Sequence, residues 1–194
     1  MPILMDAIMD TLLTFFIDKV HGPYFSNFPI YQTLQGEYVG KFMKHAITSR
    51  FRTLNPSRAL AELACISPAG LEINLEDLQR MCRASQSAVI LDRFIRSIHL
   101  LNLMRQATRW ETVFLPVSMG LIDGVDQDHG LVFRTILNSL ELLQPKIGIV
   151  LPDVLLRSPT RFTEVEKSYR RNGFLIAVHD QKQGIREDLS CMAA

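Results

Sequence analysis

The chain predicts an α/β protein built on a largely parallel sheet with an antiparallel start, and three stretches carry that prediction. Residues 146–180 run KIGIVLPDVLLRSPTRFTEVEKSYRRNGFLIAVHD and parse as strand, helix, strand. Ile147 to Leu151 is a branched, apolar run stopped by Pro152, and Phe174 to Val178 is a second one. Two fully apolar strands joined through a helix imply a parallel βαβ unit. Residues 24–45 form the second stretch, a β-hairpin with Gln35-Gly36 at its turn, Tyr24 to Tyr31 before it and Glu37 to Met43 after it. Between the two, helical periodicities alternate with a strand at Thr112 to Ser118. The resulting order is hairpin, helices, β, α, β, α, β, which is an α/β pattern.

Taken in order, residues 5–20 predict an amphipathic helix with Ile8, Leu12, Phe15 and Phe16 on or near one face, ended by His21-Gly22-Pro23. After the hairpin, residues 54–73 are mixed, with breaks at Asn55-Pro56 and Ser67-Pro68-Ala69-Gly70 and a short helix expected between them. Asn74 caps a helix that runs to about Ala84. A longer helix follows from about Ala88 to Gln106, with Leu91, Phe94, Ile95, Ile98, Leu101 and Met104 at helical spacing. Gly120 to Gly124 reads as a loop and Asp128 to Leu143 as a helix closed by Pro145. Thr160 caps the helix of the βαβ unit, in which Phe162, Val165 and Tyr169 face inward, and Asn172-Gly173 stops it. Beyond Asp180 the chain reads as polar, without a strand. The division expected is a helix over 1–22, an α/β domain over 23–184 and a polar tail over 185–194.

Composition narrows the function. Nearly half of the 194 residues are apolar, enough for one domain with a core of its own. Lysine and arginine total 21 against 20 acidic residues, so nothing points to nucleic acid or an anionic membrane surface. Arg93, Arg96, Arg105 and Arg109 fall on one helix and read as a solvated face rather than a phosphate track. Cys65, Cys82 and Cys191 lack CxxC spacing, which suits reduced thiols in a cytoplasmic protein. No uncharged run approaches the roughly 20 residues of a membrane span, and no signal-peptide pattern is present. GxSxG, P-loop, GxGxxG and HExxH motifs are absent.

Five strings, in order, bring one family into view. FPIYQTLQGEYVGKFMKHA, SAVILDRFIRSIHLL, VFLPVSM, KIGIVLPD and NGFLIAVHDQKQG together resemble the EAL domain of bacterial cyclic-di-GMP phosphodiesterases over roughly residues 24–184. In the first string, Pro29, Ile30, Gly36, Glu37, Val39 and Gly40 match the family's pattern without a gap. The resemblance implies a TIM-barrel-like sheet with an antiparallel first strand and outer helices, here partial because the chain stops before the last strands of a closed barrel. In active members, carboxylates and an asparagine at strand ends hold two metals, magnesium or manganese, that activate water. The matching positions are Phe42, Pro116, Pro152, His179 and Asp180, of which only Asp180 keeps its type. Ala46 stands where the family has a ligand-holding arginine. Phe42 and the two prolines offer no side-chain ligand, and His179 and Asp180, being adjacent on a strand, point to opposite faces. The resemblance therefore implies a module without catalysis, metal or other cofactor, acting through a protein partner or self-association. Cyclic-di-GMP binding without hydrolysis is the alternative, and an active phosphodiesterase ranks behind it.

Overall fold

The computed structural model describes residue 14 and residues 29–82, 85–106, 110–139, 146–180 and 184–186. Apart from residue 14, the predicted N-terminal helix lies outside these, as do the first residues of the predicted opening strand and the tail beyond Arg186.

Among the described residues, eight strands form one mixed sheet whose spatial order is their chain order. β1 (Ile30–Gln32), β2 (Tyr38–Phe42), β3 (His45–Asn55) and β4 (Arg58–Ile66) make an antiparallel meander. β4, β5 (Thr112–Pro116), β6 (Lys146–Leu151) and β7 (Leu175–Asp180) are parallel neighbours, and β8 (Gly184–Arg186) returns antiparallel to β7. The α/β class, the parallel βαβ unit and the antiparallel opening are as the sequence predicts. Among the described residues this linear order leaves β1 and β8 as edges, and the sheet does not close into a barrel.

Three strands escape the sequence reading. Residues 58–66, ALAELACI after Arg58, lie in the stretch where a short helix is predicted, but they form β4. Alanine and leucine favour helix intrinsically, yet pairing with β3 on one side and β5 on the other, and burial of Ala59, Leu60 and Ala61, override that preference. β3 pairs with β4 through a two-residue Pro56-Ser57 turn, where the Asn55 side chain accepts a bond from the Ser57 N–H at 3.0 Å. β8 replaces the start of the expected polar tail and is too short for periodicity to mark.

Among the described residues, five α-helices accompany the sheet: α1 (Leu75–Arg80), α2 (Ser85–Arg105), α3 (Met119–Asp123), α4 (Leu131–Ser139) and α5 (Pro159–Arg171). Asn74 caps α1 as expected, accepting from the Asp77 N–H at 2.8 Å. The loop predicted at 120–124 is instead α3, capped by Ser118, whose hydroxyl accepts from the Leu121 N–H. α4 starts three residues later than predicted because Asp128 and Gly130 take positive φ. A 3-10 turn over Asp153–Arg157 leads into α5, which begins at Pro159, so Thr160 lies inside its first turn rather than capping it. Gly173, with φ 76°, ends it as predicted.

Two apolar clusters hold these layers together. The larger joins the helices to one sheet face and contains Phe94, Ile98, Val113, Ile149, Tyr169 and Ile176. The smaller consists of Leu60, Phe114, Val150 and Ala177, with Leu54 and Ile185 packed against it. These six side chains come one each from β3, β4, β5, β6, β7 and β8. Successive neighbouring strands thus share one continuous apolar cluster, an arrangement compatible with a partial barrel.

Candidate functional site

β4 and β5 part company midway. Their ladder runs from Arg58↔Thr112 to Leu60↔Phe114 and then stops, although β4 continues to Ile66 and β5 to Pro116. Pro116 has no N–H to extend a ladder. The next donor, the Val117 N–H, bonds to the Val150 carbonyl at 3.1 Å, so the end of β5 follows β6 and leaves β4. A cleft of about 570 Å³ borders this fork. β4 contributes Glu62, α2 contributes Asp92 and His99, and Arg52, Pro116 and His179 also line it.

The polar groups along α2 are buried and partnered. The Asp92 carboxylate accepts from the Arg96 Nε at 2.9 Å and from the Ser118 N–H at 2.8 Å. Arg96 is 2% exposed, which corrects its expected place on a solvated face. His99 Nδ1 lies 2.8 Å from the Ser49 hydroxyl, and burial, followed by the Arg96 charge, lowers its pKa to about 3. Its ring is therefore neutral in ordinary buffers. At the rim, Arg52 pairs with Glu62 and Arg50 with Glu72, each at 2.6 Å. Exposed pairs like these contribute little to stability and leave their charges within reach of a ligand.

The positions singled out in the sequence separate in space. Pro116 and His179 meet at the cleft. Phe42 is a core side chain of β2, and both β3 and β4 stand between that strand and β5. Pro152 is half-buried ahead of the 3-10 turn and is not among the cleft's lining residues. Asp180 ends β7, its backbone opposite Gly184, and its side chain lies outside the described residues. His179 is exposed and Val178 buried, the alternation expected of a strand.

The cleft also carries three carboxylates, Glu62, Glu72 and Asp92, that sequence reasoning did not single out. A signal for Glu62 was present: it is the one charged residue in the otherwise apolar run ALAELACI. Among the described residues, no group of three or more His, Cys, Asp or Glu is placed to hold a metal ion. The thiols of Cys65 and Cys82 are unbridged and burial raises both pKa values, Cys65 to about 11, so neither is an activated nucleophile. No helix among the described residues is long and apolar enough to cross a membrane.

Comparison with protein-family models, with curated proteins and with solved structures finds no match to this chain in any of the three.

Proposed function

We propose that the chain is a non-catalytic, EAL-like regulatory module that acts through protein contacts. The observation that carries this reading is the open sheet: among the described residues, eight strands follow one another in linear order and end in two edges, β1 and β8. Edge strands present unpaired N–H and C=O groups that a further strand can satisfy. Tyr31 on β1 is 40% exposed, with Lys41 over its ring, so this edge offers apolar surface beside a cation. The polar groups of α2 that face the cleft favour the same reading, because Asp92 and His99 are committed to partners inside the protein.

A concentration-dependent dimer in analytical ultracentrifugation, weakened by Tyr31→Lys at the β1 edge, is the expected result. Metal-dependent hydrolysis of cyclic-di-GMP by the purified chain would overturn the proposal. So would a chain that stays monomeric and captures no partner through β1 or β8.

One observation favours a second reading, cyclic-di-GMP binding without hydrolysis. The cleft has the volume of a small-molecule site and holds Arg52 at its rim, where a phosphate could exchange for Glu62. Calorimetric titration with cyclic-di-GMP, with and without magnesium or calcium, separates the two readings. Saturable heat that is lost in Arg52→Ala supports the receptor, and no heat under any condition leaves the protein-contact reading alone.

A further inference from the structure

Away from the strand fork, a cavity of about 140 Å³ lies among the helices. Arg93 and Arg96 of α2, Leu121 of α3, Val132 and Phe133 of α4 and Tyr169 of α5 line it, together with the loop before α4. Among the described residues, five buried side-chain N or O atoms lack a hydrogen-bond partner, and three of them belong to residues of this one cavity: Arg96 Nη1, His129 Nδ1 and Tyr169 Oη. Arg96 is 2% exposed, Tyr169 0% and His129 8%. Buried polar atoms are normally paired, so three orphans around one space call for a common partner.

The chemistry of that partner follows from the orphans. A guanidinium N–H can only donate, and a buried phenol whose pKa is raised to about 12 stays protonated and donates. His129 is held toward its neutral form, chiefly by burial, and can offer Nδ1–H. The partner must therefore accept hydrogen bonds; Arg96 already pairs with Asp92 through Nε, and its remaining Nη1 bonds more strongly to a charged acceptor than to a neutral one. Leu121, Val125, Val132 and Phe133 leave the remaining wall apolar, which suits a molecule with a carbon body better than inorganic phosphate. The volume is close to that of an engineered apolar cavity of about 150 Å³ that admits benzene. An outer groove shares Val125, Gln127, Asp128 and His129 with the cavity. In that groove, Asp123 and Asp128 already pair with Arg161 and Arg171, so selection falls to the inner donors.

We propose that this cavity binds a small carboxylate-bearing molecule, its oxygens accepting from Arg96, Tyr169 and His129 and its short apolar body lying against Leu121, Val132 and Phe133. The site is separate from the strand fork and does not depend on the function proposed above.

The test titrates the whole chain with benzoate, butyrate, benzamide and inorganic phosphate, followed by calorimetry and by thermal midpoint. Benzoate or butyrate should bind saturably and raise the midpoint, with benzamide about tenfold weaker than benzoate because it lacks the charge. Tyr169→Phe removes only the hydroxyl. It should weaken benzoate about tenfold while leaving the free protein as stable as before or more so, because an unpartnered buried hydroxyl has gone. The proposal fails if neither carboxylate binds at up to roughly 10 mM, a concentration that detects very weak sites. It also fails if phosphate binds and the carboxylates do not, or if benzamide equals benzoate. Benzoate affinity unchanged in Tyr169→Phe is equally fatal. Should that variant not fold, the benzoate and benzamide comparison on the unmodified chain decides.

Discussion

Asn102 does for β2 what a neighbouring strand would otherwise do. Its amide donates to the Tyr38 carbonyl and its oxygen accepts from the Tyr38 N–H, both at 2.8 Å, and all these groups are buried. Asn102→Ala removes both bonds, leaving the Thr48 hydroxyl, 3.0 Å away, as a donor to the Tyr38 carbonyl, and should cost about 1–3 kcal/mol, measured by urea unfolding. One turn nearer the start of α2, His99 makes stability depend on pH. Its pKa is near 6.5 in the unfolded chain and about 3 in the fold, so between those values the unfolded chain binds a proton that the fold refuses. The contribution of a neutral His99 is therefore full above the unfolded value and shrinks as pH falls toward 3. Between about pH 7.5 and about pH 5 it should lose about 2 kcal/mol, and His99→Gln should flatten that part of the urea-midpoint profile. A variant with the unchanged slope would remove His99 as its source. Neither role was legible in the sequence, where both residues simply sit within a periodic helix. What Asn102 pairs with, and whether His99 meets water, depends on strands 64 and 50 residues away.

Along α2 the apolar spacing is right and the fate of the charges is not. Leu91, Phe94, Ile98 and Leu101 are buried as periodicity predicts, but Asp92 and Arg96 are buried too. The helix packs on β2 and β3 and also against α3, so more than one stripe of it is covered. Asp92→Ala would strand the Arg96 charge and free the Ser118 N–H that starts α3, at a cost of about 3–5 kcal/mol. The double change Asp92→Leu with Arg96→Met should recover most of that loss, because it removes both charges together. Strand packing allows a parallel test at β6. A Cβ at Gly148 would sit 2.4 Å from the Phe114 ring, so Gly148→Ala should destabilise by about 1–3 kcal/mol and Phe114→Leu should relieve it. An unchanged midpoint for Gly148→Ala would show that this face of the sheet is looser than its packing implies.

For the molecule as a whole, strand order decides what the chemistry can be. β4 lies between β3 and β5, so the cleft beside Pro116 holds Glu62 and not Phe42. The same order leaves two edges, and association through them is the behaviour proposed for the protein. Lowering the protein concentration about a hundredfold should dissolve a dimer of micromolar affinity, while the helix cavity should keep its affinity for benzoate in the monomer. A benzoate affinity that falls as the dimer dissociates would place the cavity's integrity at the interface.

Length and apolar spacing determined the α/β class, the parallel pair around Phe162–Tyr169, the hairpin at Gln35-Gly36 and the caps at Asn74 and Gly173, because each depends on residues close in sequence. Tertiary structure alone decided that ALAELACI is a strand, that Gly184–Arg186 pairs with β7, and which side chains share the cleft and the cavity. Each of those outcomes turns on a partner distant in the chain, and local propensity holds no information about which partner will arrive.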